Sequence, residues 1–151
     1  MIEFHAVFDG DLSVEALLLR CGLEEHGIVQ QTIDKAVIDN LMDYWAFDTG
    51  TLARSAYSAT DIGSGQIIYP GPYAHYQYYG EVYGPNIPIF DDNSGVPSGF
   101  FSPPGQAKYP TGRPINYKKD VNPLAGAFPL ERMKADRLDN IIMEARSVAG
   151  N

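Results

Sequence analysis

The spacing of apolar side chains changes along this chain, and each change predicts an element. Ile2, Phe4, Ala6 and Phe8 alternate with Glu3, His5 and Val7, the period of two of a half-buried strand that Asp9-Gly10-Asp11 ends. Asp11 or Ser13 is placed to cap a short helix through Val14, Ala16, Leu17 and Leu18, with Gly22 as its terminator. From Ile28 the spacing becomes four: Val29, Ile33, Val37, Leu41 and Trp45, widened by Ile38 and Tyr44, predict an amphipathic helix of several turns. Leu130, Met133, Leu138, Ile141, Ile142, Ala145 and Val148 predict a second long helix. Pro129 suits its first turn, where a missing N–H leaves no helical bond unmade.

Between these helices the pattern is broken. Asp48-Thr49-Gly50 stops the first long helix; Leu52, Ala53, Ser55 and Ala56 suggest one helical turn leading into a strand at Tyr57-Ser58-Ala59. Gly63-Ser64-Gly65 reads as a turn, and Gln66-Ile67-Ile68-Tyr69 as a short strand closed by Pro70-Gly71-Pro72. Tyr73, Tyr76, Tyr78, Tyr79 and Tyr83 then crowd together, with Tyr76, Tyr79 and Tyr83 on one helical face. All eleven prolines lie between Pro70 and Pro129, and residues 84–128 show no sustained apolar period. That stretch is expected to be a long irregular loop, a length of chain that marks a binding loop, a disordered segment or a part ordered by a partner. The expected fold is α+β: one domain over residues 1–151, with a small antiparallel sheet flanked by the two amphipathic helices.

Composition narrows the function classes. With 151 residues, 44% apolar and 20% charged, the chain has the make-up of one globular domain with a single core. Residues 1–50 carry ten acids and two bases, whereas residues 111–151 carry five acids and seven bases. A net charge of −8 without a basic cluster argues against sequence-specific nucleic-acid binding, which depends on Lys and Arg displacing counterions. An acidic half and a mildly basic tail are also suited to meeting head to tail between identical subunits. The acidic opening MIEFHAVFDGDLS and the lack of a long apolar run give no expectation of secretion or membrane insertion. Cys21, the single cysteine, excludes an intramolecular disulfide and a multi-cysteine zinc site, and is expected to be a buried or inert thiol.

The sharpest short motif is Phe47-Asp48-Thr49-Gly50-Thr51, because Asp-Thr-Gly presents the catalytic carboxylate in aspartic proteases. Two such aspartates must share a proton, so a chain with one copy has to dimerise. The plainer reading is a cap at Asp48 or Thr49 and backbone freedom at Gly50. His5, His26 and His75 show no metal-ligand spacing. Glu24-Glu25 and Asp91-Asp92 are carboxylate pairs of the type glycosidases use, but read more simply as solvated charge. No phosphate-cradling loop or Gly-x-Ser-x-Gly elbow occurs, and no cofactor is implied. The tyrosine cluster supports a carbohydrate-binding module, in which rings stack on sugars, or a mixture of core and interface roles.

Taken in order, Phe47-Asp48-Thr49-Gly50-Thr51-Leu52-Ala53-Arg54-Ser55, Gly63 to Tyr69, Pro72-Tyr73-Ala74, Tyr78-Tyr79-Gly80 and Glu131-Arg132-Met133-Lys134-Ala135-Asp136 resemble the minor capsid protein family of long-tailed bacteriophages. One departure stands: the family's aromatic Trp-Phe pair before Glu-Arg-Met-Lys is Pro129-Leu130 here. The resemblance implies a small α+β subunit without catalysis, a head–tail connector in the virion neck, assembled in the host cytoplasm. Its implied partners are further copies of itself in a ring, portal or adaptor proteins, and tail proteins. Thr49, Gly50, Leu52, Ser55, Tyr73, Ala74, Tyr79, Gly80, Glu131, Arg132, Met133 and Lys134, with Asp48, would then be determinants of fold and assembly.

Overall fold

A computed structural model describes residues 13–47, 49–91 and 95–149. The strand expected over residues 2–8, its stop at Asp9-Gly10-Asp11, His5, Asp48 and Asp92 lie outside the described residues. Within them the chain is α+β, as its pattern led one to expect. The order is α1 (Val14–Arg20), α2 (Ile28–Leu41), a 3-10 turn (Met42–Tyr44), α3 (Thr51–Ala59), α4 (Pro72–Tyr79), β1 (Glu81–Gly84), β2 (Ile87–Ile89), β3 (Gly99–Phe101), β4 (Tyr109–Pro114) and α5 (Pro129–Val148).

The core forms where α2 and α5 pack together. Ala36, Leu41, Tyr44, Trp45, Ala53, Met133 and Ile141 make one buried cluster, with Ile33, Val37, Leu52, Tyr69, Tyr78 and Leu130 packed around it. Ile38 and Met133 are fully enclosed, and burial of side chains of that size stabilises by about 1.5–3 kcal/mol each. Tyr44 locks the seam: its hydroxyl donates to Asp136 Oδ2 at 2.7 Å, and the Arg132 and Arg137 guanidiniums lie 5.5 and 5.3 Å from its ring centre. Arg137 also pairs with Asp43 at 2.8 Å.

Helix α2 ends earlier than the four-residue stripe implies. The chain tightens into the 3-10 turn, and Trp45 adopts an extended backbone that carries its ring into the core. Asn122 holds this corner, its amide donating to the carbonyls of Met42 at 2.7 Å and Trp45 at 2.9 Å. Ser13 caps α1 by accepting from the Ala16 N–H at 3.1 Å, and Gly22 follows in a left-handed conformation, φ +67.

Several expectations are corrected. Tyr57-Ser58-Ala59 is no strand but the last turn of α3; the Ser55 and Ser58 hydroxyls bond carbonyls of their own helix, so neither competes with it. Gln66–Tyr69 is not assigned as a strand: Ile68 N–H donates to Thr60 Oγ1 at 3.0 Å. Tyr83 belongs to β1, because Gly80 ends α4 at φ +74, yet its ring still stacks on Tyr76 at 4.5 Å.

The 84–128 stretch contains strands. β1 pairs antiparallel with β4, and β2 with β3, giving two two-stranded sheets. No period of two betrays β2 and β3 because they bury neither face. Each strand has one neighbour, and prolines such as Pro88, Pro110 and Pro114 are tolerated where the opposite edge is unpaired. Cys21 is exposed, not buried.

Candidate functional site

The aromatic helix α4 is set by its ends. Gly71 enters at φ +96 and Pro72 begins the helix; Gly80 closes it, its N–H donating to the Tyr76 carbonyl at 3.0 Å. A Cβ on Gly80 would lie 2.8 Å from that of Ala127, so the position has no room for a side chain. Two concavities flank this helix.

The first, about 480 Å³, is lined by Val37, Leu41, Trp45, Gly65, Ile67, Tyr69, Ala74, His75, Tyr78, Tyr79, Pro129 and Leu130. The Trp45 ring lies 4.9 Å from that of Tyr69 and 6.3 Å from that of Tyr78. Trp45 Nε1 and the Tyr69 hydroxyl oxygen are both buried and meet no hydrogen-bond partner of normal geometry. Burial raises the pKa of Tyr69, an effect opposed in part by the nearby indole N–H. Tyr78 is tied down differently, its hydroxyl 2.7 Å from both carboxylate oxygens of Glu131. Burial first and that carboxylate second push its pKa up to about 12.

One wall of this cavity is held by a buried carboxylate that the sequence reading missed. Asp34, 2% exposed on α2, accepts from Gly63 N at 2.7 Å, Gly65 N at 3.2 Å and Gln30 Nε2 at 2.7 Å. A signal for it existed: Asp34 lies four residues before Ile38 and seven before Leu41, on the buried stripe. A charge placed there must be paired or hydrogen-bonded.

The second concavity, about 410 Å³, is lined by Ala46, Thr49, Gly50, Thr51, Leu52, Ser55, Pro70, Gly71, Tyr73 and Gln77. Gly50 sits at φ +75 before α3, and the Thr49 and Thr51 hydroxyls lie 2.7 Å apart. Gln77 Oε1 is buried without a partner.

The motif residues divide between these features. Thr49, Gly50, Leu52, Ser55 and Tyr73 gather at the second concavity, Ala74 and Tyr79 at the first. Gly80 ends α4, Glu131 anchors Tyr78, Arg132 lies over Tyr44, and Met133 is core. Lys134 is exposed and lines neither concavity.

Elsewhere, His26 Nε2 lies 3.1 Å from Asp61, and the hydrogen bond and charge of that carboxylate raise the imidazole pKa. His75 sits among the rings of Tyr76, Tyr79 and Tyr83. Among the described residues no three His, Cys, Asp or Glu side chains are grouped to hold a metal ion, and no helix is long and apolar enough to cross a membrane. No family model matches the chain, and neither curated proteins nor solved structures give a match.

Proposed function

We propose that this chain is a structural subunit of a tailed-phage virion, a neck or tail-completion component that joins portal to tail through protein–protein contacts. The observation that carries an assembly role is the distribution of apolar side chains. Val14, Leu17 and Leu19 on α1, Tyr73 and Tyr79 on α4, and Ile87, Ile89, Phe100 and Phe101 on β2 and β3 are all exposed. On the β2–β3 pair Ile87, Ile89 and Phe101 stand together on one face, a contiguous exposed apolar patch of the type that takes a protein partner. The β2–β3 pair makes the same point, because an isolated two-stranded hairpin is marginal in water and gains stability when a neighbour covers it.

The specific placement in a phage neck rests on the resemblance of Thr49-Gly50-x-Leu52-x-x-Ser55, Tyr73-Ala74 and Glu131-Arg132-Met133-Lys134. A ring needs two different patches on each subunit that meet as the rotation closes. Net acidity suits such a ring, since like charges keep DNA from adhering to its lumen.

Mass photometry and electron microscopy with purified portal and tail complexes test the proposal. Expected are discrete rings, alone or on the partner template. A chain that stays monomeric and ignores both complexes overturns it, as does peptide cleavage at acidic pH that Asp48→Asn abolishes. A sugar-binding module instead predicts glycan affinity that falls in Tyr79→Ala.

A further inference from the structure

Among the described residues two apolar surfaces stand uncovered. Helix α1 has seven residues and buries none of them. Helices that short are marginal in water without packing, and Val14, Leu17, Leu18 and Cys21 share one face at the i, i+3, i+4, i+7 spacing that fits a groove. Val14 is 67% and Leu17 43% exposed. The matching surface is a groove of about 290 Å³ between α2 and the C-terminal half of α5, walled by Val29, Ile33, Leu138, Ile142 and Ala145. Leu138 to Ala145 and Val14 to Cys21 each span about 10 Å at 1.5 Å per residue.

We infer that α1 of one copy docks into the α2/α5 groove of the next, as the repeating contact of a head-to-tail assembly. Charge sets the direction. Arg146 lines the groove at its C-terminal end on α5, and α1 carries Glu15 in its first turn. Antiparallel to α5, Glu15 meets Arg146, and Cys21 comes next to Leu138.

No residue of α1 lines the groove of its own chain, and the corner that follows α1 is tied by its own bonds. Leu23 N–H bonds the Leu18 carbonyl at 2.8 Å, Gly27 N–H that of Glu24 at 2.8 Å and Val29 N–H that of Gly22 at 3.1 Å. A Cβ on Gly27 would lie 2.4 Å from the Gly22 carbonyl oxygen, so this corner is closely fitted. Filling the groove from within one chain would break these bonds; a second copy fills it without doing so.

The inference rests on the assembly reading, and Cys21 supplies the test. Leu138→Cys, at a position 42% exposed, under mild oxidation is expected to give a ladder of dimers, trimers and higher species on a non-reducing gel. The parent chain can go no further than a dimer, and adding Cys21→Ser removes the ladder. Leu17→Glu in the same background is expected to lose the ladder with the unfolding midpoint little changed, since no residue of α1 is fully buried in the single chain. A fast-migrating monomer cross-linked to itself overturns the inference, as does a ladder from Ala149→Cys with none from Leu138→Cys. Rings that form with portal or tail complexes while no ladder appears overturn this contact alone; absence of rings under every condition overturns the assembly reading.

Discussion

Replacing Asp34 by Ala removes the acceptor shared by Gly63 N–H and Gly65 N–H, 2.7 and 3.2 Å from one carboxylate oxygen. Gln30 can turn to water, being only partly buried, but the glycine donors cannot all do so: the Gly63 bond is buried. Losing a hydrogen bond to a charged group and stranding a buried donor cost about 1–3 kcal/mol each, so about 4 kcal/mol is expected for Asp34→Ala. Asp34→Asn retains an oxygen for the glycines and can present its amide to a flipped Gln30; it should cost about 1 kcal/mol. At a urea slope of about 2 kcal/mol/M, the midpoints fall by about 2 M for Ala and about 0.5 M for Asn. The single tryptophan provides the readout, because Trp45 is 3% exposed and lines the same cavity as Gly65. Its emission should shift to the red as the Gly65–Tyr69 wall loosens. An Ala variant within about 1 kcal/mol of the parent, or an Asn variant as damaging as Ala, would refute the reasoning.

Other outcomes follow from the same geometry. Gly50→Ala forces a Cβ to 2.7 Å from two Phe47 ring carbons at φ +75, so thermal unfolding should show a loss of about 1–3 kcal/mol; an unchanged midpoint refutes it. In Glu131→Gln the Tyr78 pKa should fall from about 12, read as phenolate absorbance. Because the folded value lies above the ordinary value of about 10, this tyrosine's contribution to stability is full below pH 10 and lost as pH rises through 12. His26 follows the same sign lower on the scale: its contribution is full below about pH 6.5 and lost as pH rises through the raised value. Asp61→Asn should return its NMR titration toward the ordinary value, and an unmoved curve would count against the pair.

Helices α1, α2 and α5 were legible because their apolar spacing and their breakers agree. Ser13, Gly22 and Pro129 mark ends the structure retains, and Val29, Ile38, Leu41, Met133, Ile141 and Ala145 are the buried positions of the stripes. Strands β2 and β3 were not legible, since a strand exposed on both faces writes no alternation. Tyr57-Ser58-Ala59 misled because tyrosine and serine carry little helix preference, while tertiary packing of Ala53 and Ala56 carries α3 through them. The clustering of Thr49, Gly50, Leu52, Ser55 and Tyr73 depends on α3 and α4 meeting, a long-range event that no local window records. Asn122 was invisible for the same reason: its partners, Met42 and Trp45, lie far back along the chain.

The polar grip on Tyr44 has a consequence for the mechanics of the helix pair. Met133, Ile141 and Ala145 recur at intervals that would let α5 slide by one turn, about 5.4 Å, and still present a greasy side to α2. A phenol seated on Asp136 between two guanidiniums accepts only one setting. Such a slip would carry Asp136, Arg132 and Arg137 away together and leave the buried Tyr44 hydroxyl without its acceptor, so the pair acts as a keyed shaft.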